Sequence, residues 1–314
     1  MAQTKSRDRA RPGLGTRIAE SDLWYNFRTS PLAMASAVIT VVFMFSAFFA
    51  ELVAPHNPFD LATVYLLDAL TPPVWAEGGS FTFLLGTDNQ GRDVFSTILY
   101  GARISLIVGF FSVAMAAVLG VVAGLVAGYL GGFVDTLLMR VADVQLSFPA
   151  ILIALLIDGV ARAVLPRDAH DDLAIYVLVL AIGLSFWVQY ARTVRSAVMI
   201  ERTKEYVQAG QVIGLPGYLI LFRHILPNVM GPVLVIATIQ LALAIITEAT
   251  LSFLGVGVPP TSPSLGTLIR IGNDYLFSGE WWITIFPGIA LVVLVLSVNL
   301  LGDWLRDALN PKLK

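Results

Sequence analysis

The chain has 314 residues, 57% of them hydrophobic and 13% charged, with a formal net charge of −2. A soluble domain of this size would carry about 25% charged residues, so an ordinary water-soluble fold is excluded, and a charge so near zero gives no argument for nucleic acid. There is no cysteine, which rules out disulfides, zinc–cysteine sites and iron–sulfur clusters.

Apolar runs of 18 or more residues recur, and each is long enough to cross a ~30 Å hydrocarbon core as a helix. The sequence therefore predicts an all-α integral membrane protein with six transmembrane helices. Residues 1–30 form a polar tail, and the apolar run that follows from Pro31 is too long for the core of a cleavable signal. The first span runs roughly from Leu32 to Ala54, and a long loop from about Pro55 to Gly101 completes the unit 31–101. That loop carries Asp88, Arg92 and Asp93, which could touch a partner protein but are better explained as a turn locked by local hydrogen bonds.

The second span, Ile104 to Tyr129, opens the core 102–302. Near its end Gly120, Gly124, Gly128 and Gly132 recur every fourth residue. Stacked G-x-x-x-G steps make a groove that another helix can approach closely, within this chain or from a second one. The third span, Val134 to Ile157, is uncharged only from Leu146 onward. Twelve residues reach about 18 Å, so the helix must take in Arg140 and Asp143, which share a face at i,i+3 and suit an ion pair. Ahead of the fourth span, Leu173 to Tyr190, stands His170 with Asp168, Asp171 and Asp172. One histidine in a charged loop is better explained by solvation than by a metal. The fifth span, Val229 to Phe253, holds Glu248, with Gln240 and Thr247 near the same face. Ionisable groups at membrane depth are functional candidates, here either lining a pathway or hydrogen-bonding inside the bundle. The sixth, Trp282 to Leu301, starts beside Trp281 and Trp282, where an interfacial anchor is expected. The tail 303–314 follows.

Lysine and arginine set the orientation. Lys5, Arg7, Arg9, Arg11, Arg17 and Arg28 precede the first span, Arg192, Arg195, Arg202, Lys204 and Arg223 lie between the fourth and fifth, and Arg306, Lys312 and Lys314 end the chain. With six spans these segments share one side, which the bias makes cytoplasmic. The loop 191–228 therefore faces the cytoplasm. Within it, Lys204 to Ile213 suits a short helix, broken by Gly214, Pro216 and Gly217, and a second helix from Tyr218 can run until Pro227. Ala209 and Gly210 leave a bare patch suited to a groove on a partner. The residues alone leave open a second reading, an amphipathic connector lying on lipid headgroups.

This loop resembles the cytoplasmic signature of ABC importer permeases: Glu-Ala-Ala, three residues, Gly, nine residues, Ile, one residue, Leu-Pro. Gln208, Ala209 and Gly210 take the first three places, Gly214 follows at the right spacing, and His224, Ile225, Leu226 and Pro227 close the pattern. Gln208, Gly210 and His224 depart from the consensus residues. The stretches LLGTDNQGRDVFSTILYGARISL (84–106), EATLSFLGVGVPP (248–260) and LGDWLRDALNP (301–311) are similar to the "C"-type permeases of the dipeptide, oligopeptide and nickel branch. The resemblance implies a type I importer transmembrane domain in the bacterial inner membrane with both termini cytoplasmic. It implies pairing with a second, paralogous permease, two ABC ATPase subunits and a solute-binding protein. It makes Glu205, Gln208, Ala209, Gly210, Gly214, Leu226 and Pro227 the ATPase-coupling residues. ATP and Mg would sit on the partner subunits, since no G-x-x-x-x-G-K-[ST] loop occurs here. The chain itself is expected to bind no cofactor or metal and to catalyse no bond chemistry. Di- or oligopeptides are the expected cargo, with nickel or another small solute as the alternative within the branch. A stand-alone secondary transporter would need repeated halves or more buried ion sites, and a pathway-free scaffold would not need Glu248 or the 204–227 insert.

Overall fold

The computed structural model describes residues 22–60, 62 and 64–309. The basic residues of the N-terminal tail up to Arg17, with Lys312 and Lys314, lie outside the described residues, as do the side chains of Asp168, His170, Asp171 and Asp172.

Helix α1 (Asp22–Thr29) leads into α2 (Pro31–Phe48), where Ser30 caps the first turn by accepting from the Ala33 N–H and Pro31 starts the helix at no hydrogen-bond cost. One more turn, Ala50–Val53, follows a break at Phe49. Helix α3 (Val94–Leu130) has 37 residues and begins ten positions before the expected second span. Its start is fixed by Asp93, whose carboxylate accepts from the Ser96 N–H. At 1.5 Å per residue it is about 55 Å long, so it protrudes well beyond the hydrocarbon.

The third span is not one helix. Helices α4 (Gly132–Leu146) and α5 (Ala150–Val164) meet at 91°. Pro149 has no N–H to give and disfavours helical backbone at Phe148 before it. The expectation of an unbroken crossing is corrected accordingly. Helix α6 (Arg167–Glu201) runs past its apolar part into the 201–228 loop. That loop holds α7 (Glu205–Val212), a helical turn Gly217–Leu219 and a π-helical stretch Ile220–Ile225, which continues into α8 (Leu226–Phe253). The expected stop at Pro227 does not occur. The proline sits in the first turn of α8, and the wider π winding before it relieves the clash and missing bond that a proline brings to an α-helix. Helix α9 (Leu265–Asn273), too short to cross, links α8 to α10 (Trp282–Leu309).

Among the described residues five helices are long and apolar enough to span a membrane, and the bent pair, taken as one broken span, gives a sixth. Buried side chains form two clusters that share α3 and α8. One packs them with α5 and α6 around Leu178, Ile182, Tyr190 and Leu251. The other packs them with α2, α9 and α10 around Ile245, Leu265 and Leu294.

The α3–α6 contact is backbone on backbone. A Cβ on Gly120 would lie 2.4 Å from the Trp187 carbonyl oxygen, one on Gly124 would lie 2.5 Å from that of Ala191, and one on Gly128 would lie 2.8 Å from Val198 Cβ. The matched positions rise together, so the two helices run parallel, and α4–α5 is the return leg. Gly132 is not part of this groove: nothing lies within 4 Å of its Cβ position, and with Gly131 it makes the left-handed turn between α3 and α4.

Candidate functional site

The 201–228 loop is built around a small apolar keel. Val207 and Gly210 on α7 face inward, and Val207 packs in the cluster that holds Ile220 and Ile225. A Cβ on Gly210 would meet Leu215 and Ile220 at 3.5 and 3.7 Å, ordinary contact, so alanine fits there. Gly214 is different. Its φ of +78 is the left-handed conformation that ends α7, while the Leu215 N–H donates to the Gly210 carbonyl and closes the last turn. Glu205 stands in the first turn, where the helix dipole favours an acid. Gln208 and Ala209 point outward, the Gln208 amide donating to the Thr203 carbonyl. Val212 and Ile213 are 86% and 73% exposed at the tip, beside exposed Tyr218 and Phe222. An exposed apolar tip on a polar loop is the kind of surface that meets a partner protein or a membrane. Leu226 is half-buried and Pro227 exposed.

Sequence reasoning passed over a polar hub on the other flank of α7. The Tyr206 hydroxyl donates to Glu201 Oε1 at 2.5 Å and accepts from Asn228 Nδ2 at 3.0 Å. Lys204 Nζ lies 2.8 Å from Glu201 Oε2, and the His224 ring stacks on Tyr206 with centroids 6.5 Å apart. Burial first and the Glu201 carboxylate second push the Tyr206 pKa up to about 12, so the phenol keeps its proton throughout the physiological range. Arg202 donates to the Gly128 and Tyr129 carbonyls and ties this end of α6 to the end of α3.

Between the helices, Glu248 is fully enclosed. Its carboxylate accepts from Ser105 on α3 and from Ser252 one turn on, each at 2.7 Å, and the Leu265 N–H of α9 donates to the same Ser105 hydroxyl. Gln240 does not join it: it turns to Gln189 on α6 at 2.6 Å. Thr247 spends its hydroxyl on the Leu243 carbonyl of its own helix. Glu248, Gln240 and Thr247 therefore turn to α3, to α6 and to their own helix, and do not form the expected common face.

Two further expectations change. Asp143 pairs with Arg192 on α6, not with Arg140, and Gln145 bridges to Leu184 and Trp187 on that helix. Asp135 holds Arg195 through two hydrogen bonds. Trp282 is 7% exposed and donates to the Thr87 carbonyl at 3.0 Å, so it packs inward while Trp281 remains more open. On the long loop before α3, Arg92 Nε lies 2.7 Å from Asp88, and both are buried.

Residues 120–314 match the family model of binding-protein-dependent transport system inner membrane components. The chain belongs to this family of permeases. Residues 21–73 of the permease also match the N-terminal transmembrane domain of oligopeptide transport permease C. It is 38% identical over 293 residues to the di/tripeptide transport system permease protein DppC of Pseudomonas aeruginosa, covering 93% of this permease and 92% of that one. It is 40% identical over 293 residues to the dipeptide transport system permease protein DppC of Escherichia coli K12, covering 93% of each. Among solved structures, the inward-facing MetNI methionine ABC transporter superposes with a TM-score of 0.54 at 18% identity, over 68% of this permease and 96% of that chain. That likeness concerns the fold, a type I ABC importer transmembrane domain. The permease is a transporter component that works with a binding protein and an ATPase carried on other chains.

Proposed function

We propose that this permease forms, with a second, paralogous permease, the inner-membrane pathway by which di- or oligopeptides enter the cell. Two ABC ATPase subunits grip the 201–228 loops, and a solute-binding protein delivers cargo on the opposite face. Both termini are cytoplasmic in this reading. ATP and Mg act on the ATPases, and α7, with Glu205, Gln208, Ala209, Gly210 and Gly214, is the coupling helix that their closure moves as a rigid body. The observation that carries the peptide assignment is similarity to dipeptide permeases along 93% of the chain. The exposed Val212 and Ile213 support the coupling role, since an apolar tip on a lone subunit is left without a cover.

The test is reconstitution of the permease with its second permease, ATPases and binding protein in vesicles. Uptake of a labelled dipeptide that needs ATP on the ATPase side and the binding protein on the other is expected. Uptake by this chain without an ATPase, or copurification with no ATPase at all, would overturn it.

A further inference from the structure

Both backbone links that join α7 to its neighbours are turns. Arg202–Lys204 connects it to α6, and Ile213–Pro216, with the left-handed Gly214, connects it to the stretch leading into α8. Neither link is a continuous helix, so a push on α7 is absorbed by loop bending unless side chains brace it. The apolar keel of Val207 packs α7 in the cluster that holds Ile220 and Ile225, a non-directional contact. One side chain braces it in both directions. Tyr206 sits on α7, and its hydroxyl touches the last residue of α6, Glu201, and the first turn of α8 through Asn228. Glu201 is 7% exposed and already held by Lys204, while Asn228 is fixed by donating to the His224 carbonyl at 2.6 Å. The hydroxyl therefore joins two anchored groups.

We infer that Tyr206 is the positioning residue through which motion of α7 reaches α6 and α8 together, its hydroxyl acting as the strut between Glu201 and Asn228. This rests on the coupling role proposed for α7 above. Because Arg202 next to Glu201 holds the end of α3, the strut also enlists α3. The phenyl ring and the keel remain when the hydroxyl is removed, so docking and motion transfer separate: a Tyr206→Phe chain should still bind the ATPases yet move the spans less per ATP.

The experiment compares the wild-type and Tyr206→Phe permeases in the complete transporter, with binding protein, in vesicles, using labelled dialanine as probe. ATPase copurification, ATP hydrolysis and uptake are read from the same preparation. Expected are unchanged copurification, near-normal hydrolysis, an unchanged KM for loaded binding protein and a fall of about tenfold in dialanine taken up per ATP. That factor is what ~1.4 kcal/mol corresponds to, the scale of one hydrogen bond to a charged group. Glu201→Gln, which keeps an acceptor but loses the charge, should fall between the two. An unchanged ratio of uptake to hydrolysis overturns the inference. So does a parallel loss of both or failed assembly, which would make the hydroxyl a folding or docking element. Failure of the wild-type complex to show ATP-driven uptake would instead overturn the proposed function itself.

Discussion

Ser105 on α3 donates to Glu248 on α8 at 2.7 Å across 143 positions of sequence. Ser252 supplies a second donor to the same carboxylate, and the Leu265 N–H completes the chain of bonds into α9. A buried acid held by donors from two helices, one of which is bonded in turn to a third, acts as a knot. Its value lies in leaving no partner unpaired.

Glu248→Ala leaves the Ser105 and Ser252 hydroxyls without their acceptor and opens a void, a loss of about 3 kcal/mol. Glu248→Gln retains an acceptor oxygen and the shape. Thermal unfolding of the purified complex should show a large drop in Tm for the alanine variant and a small one for glutamine. Equal drops would mean that charge, and not hydrogen bonding, is what the site needs.

The glycine contact gives a graded series. Gly120→Ala and Gly124→Ala place a Cβ within 2.5 Å of backbone carbonyls of α6, and overpacking of this kind costs about 1–3 kcal/mol. Gly159→Ala on α5, exposed and with nothing within 4 Å of its Cβ position, should be neutral or slightly stabilising because alanine is the better helix former. Folded yield after detergent extraction should rank the variants in that order.

Gly210 and Gly214 should separate cleanly even though both lie in the same signature. Gly210→Ala meets only ordinary contacts and should transport normally. Gly214→Ala forces a side chain into left-handed backbone at a cost of roughly 1 kcal/mol. It should loosen the end of α7, seen as weaker ATPase copurification. Normal behaviour of both variants would remove Gly214 from the coupling surface.

The two ion pairs between α4 and α6 differ in exposure. Asp143 and Arg192 are about half exposed, with side chains at 52% and 49%, while Asp135 and Arg195 are at 16% and 29%. Asp143→Asn should cost no more than about 1 kcal/mol. Asp135→Asn should cost more, because it breaks a bidentate pair that is better shielded. Double-mutant cycles on Tm, with the arginine partners changed in turn, measure both.

The number of crossings was legible in the sequence because hydrophobic length is a local property. So were the bounds of α7, expected at 204–213 and found at Glu205–Val212, because Gly214 and Pro216 punctuate it within a few residues. The bend at 147–149 and the unbroken passage through Pro227 were not. One proline follows the end of a helix and the other sits in the first turn of α8 just after a π-helical stretch, and the difference lies in what packs around them. The partners of Asp143, Gln240 and Tyr206 were equally hidden, since each bond joins groups on different helices or on either side of a loop. Spacing along one helix suggests Arg140 for Asp143, but only the folding of α4 back against α6 brings Arg192 within reach.

Three glycines that let two backbones touch also act as a ratchet stop. Helices meshed so closely cannot creep lengthwise past each other: the next position where glycine again meets the same hollow is four residues on, about 6 Å away. Small displacements along the shared axis are therefore blocked, and α3 and α6 travel as a single beam. Bending in a transport cycle is left to the joints outside that mesh, among them the right-angled elbow between α4 and α5, the turns on either side of α7 and the π-wound neck before α8.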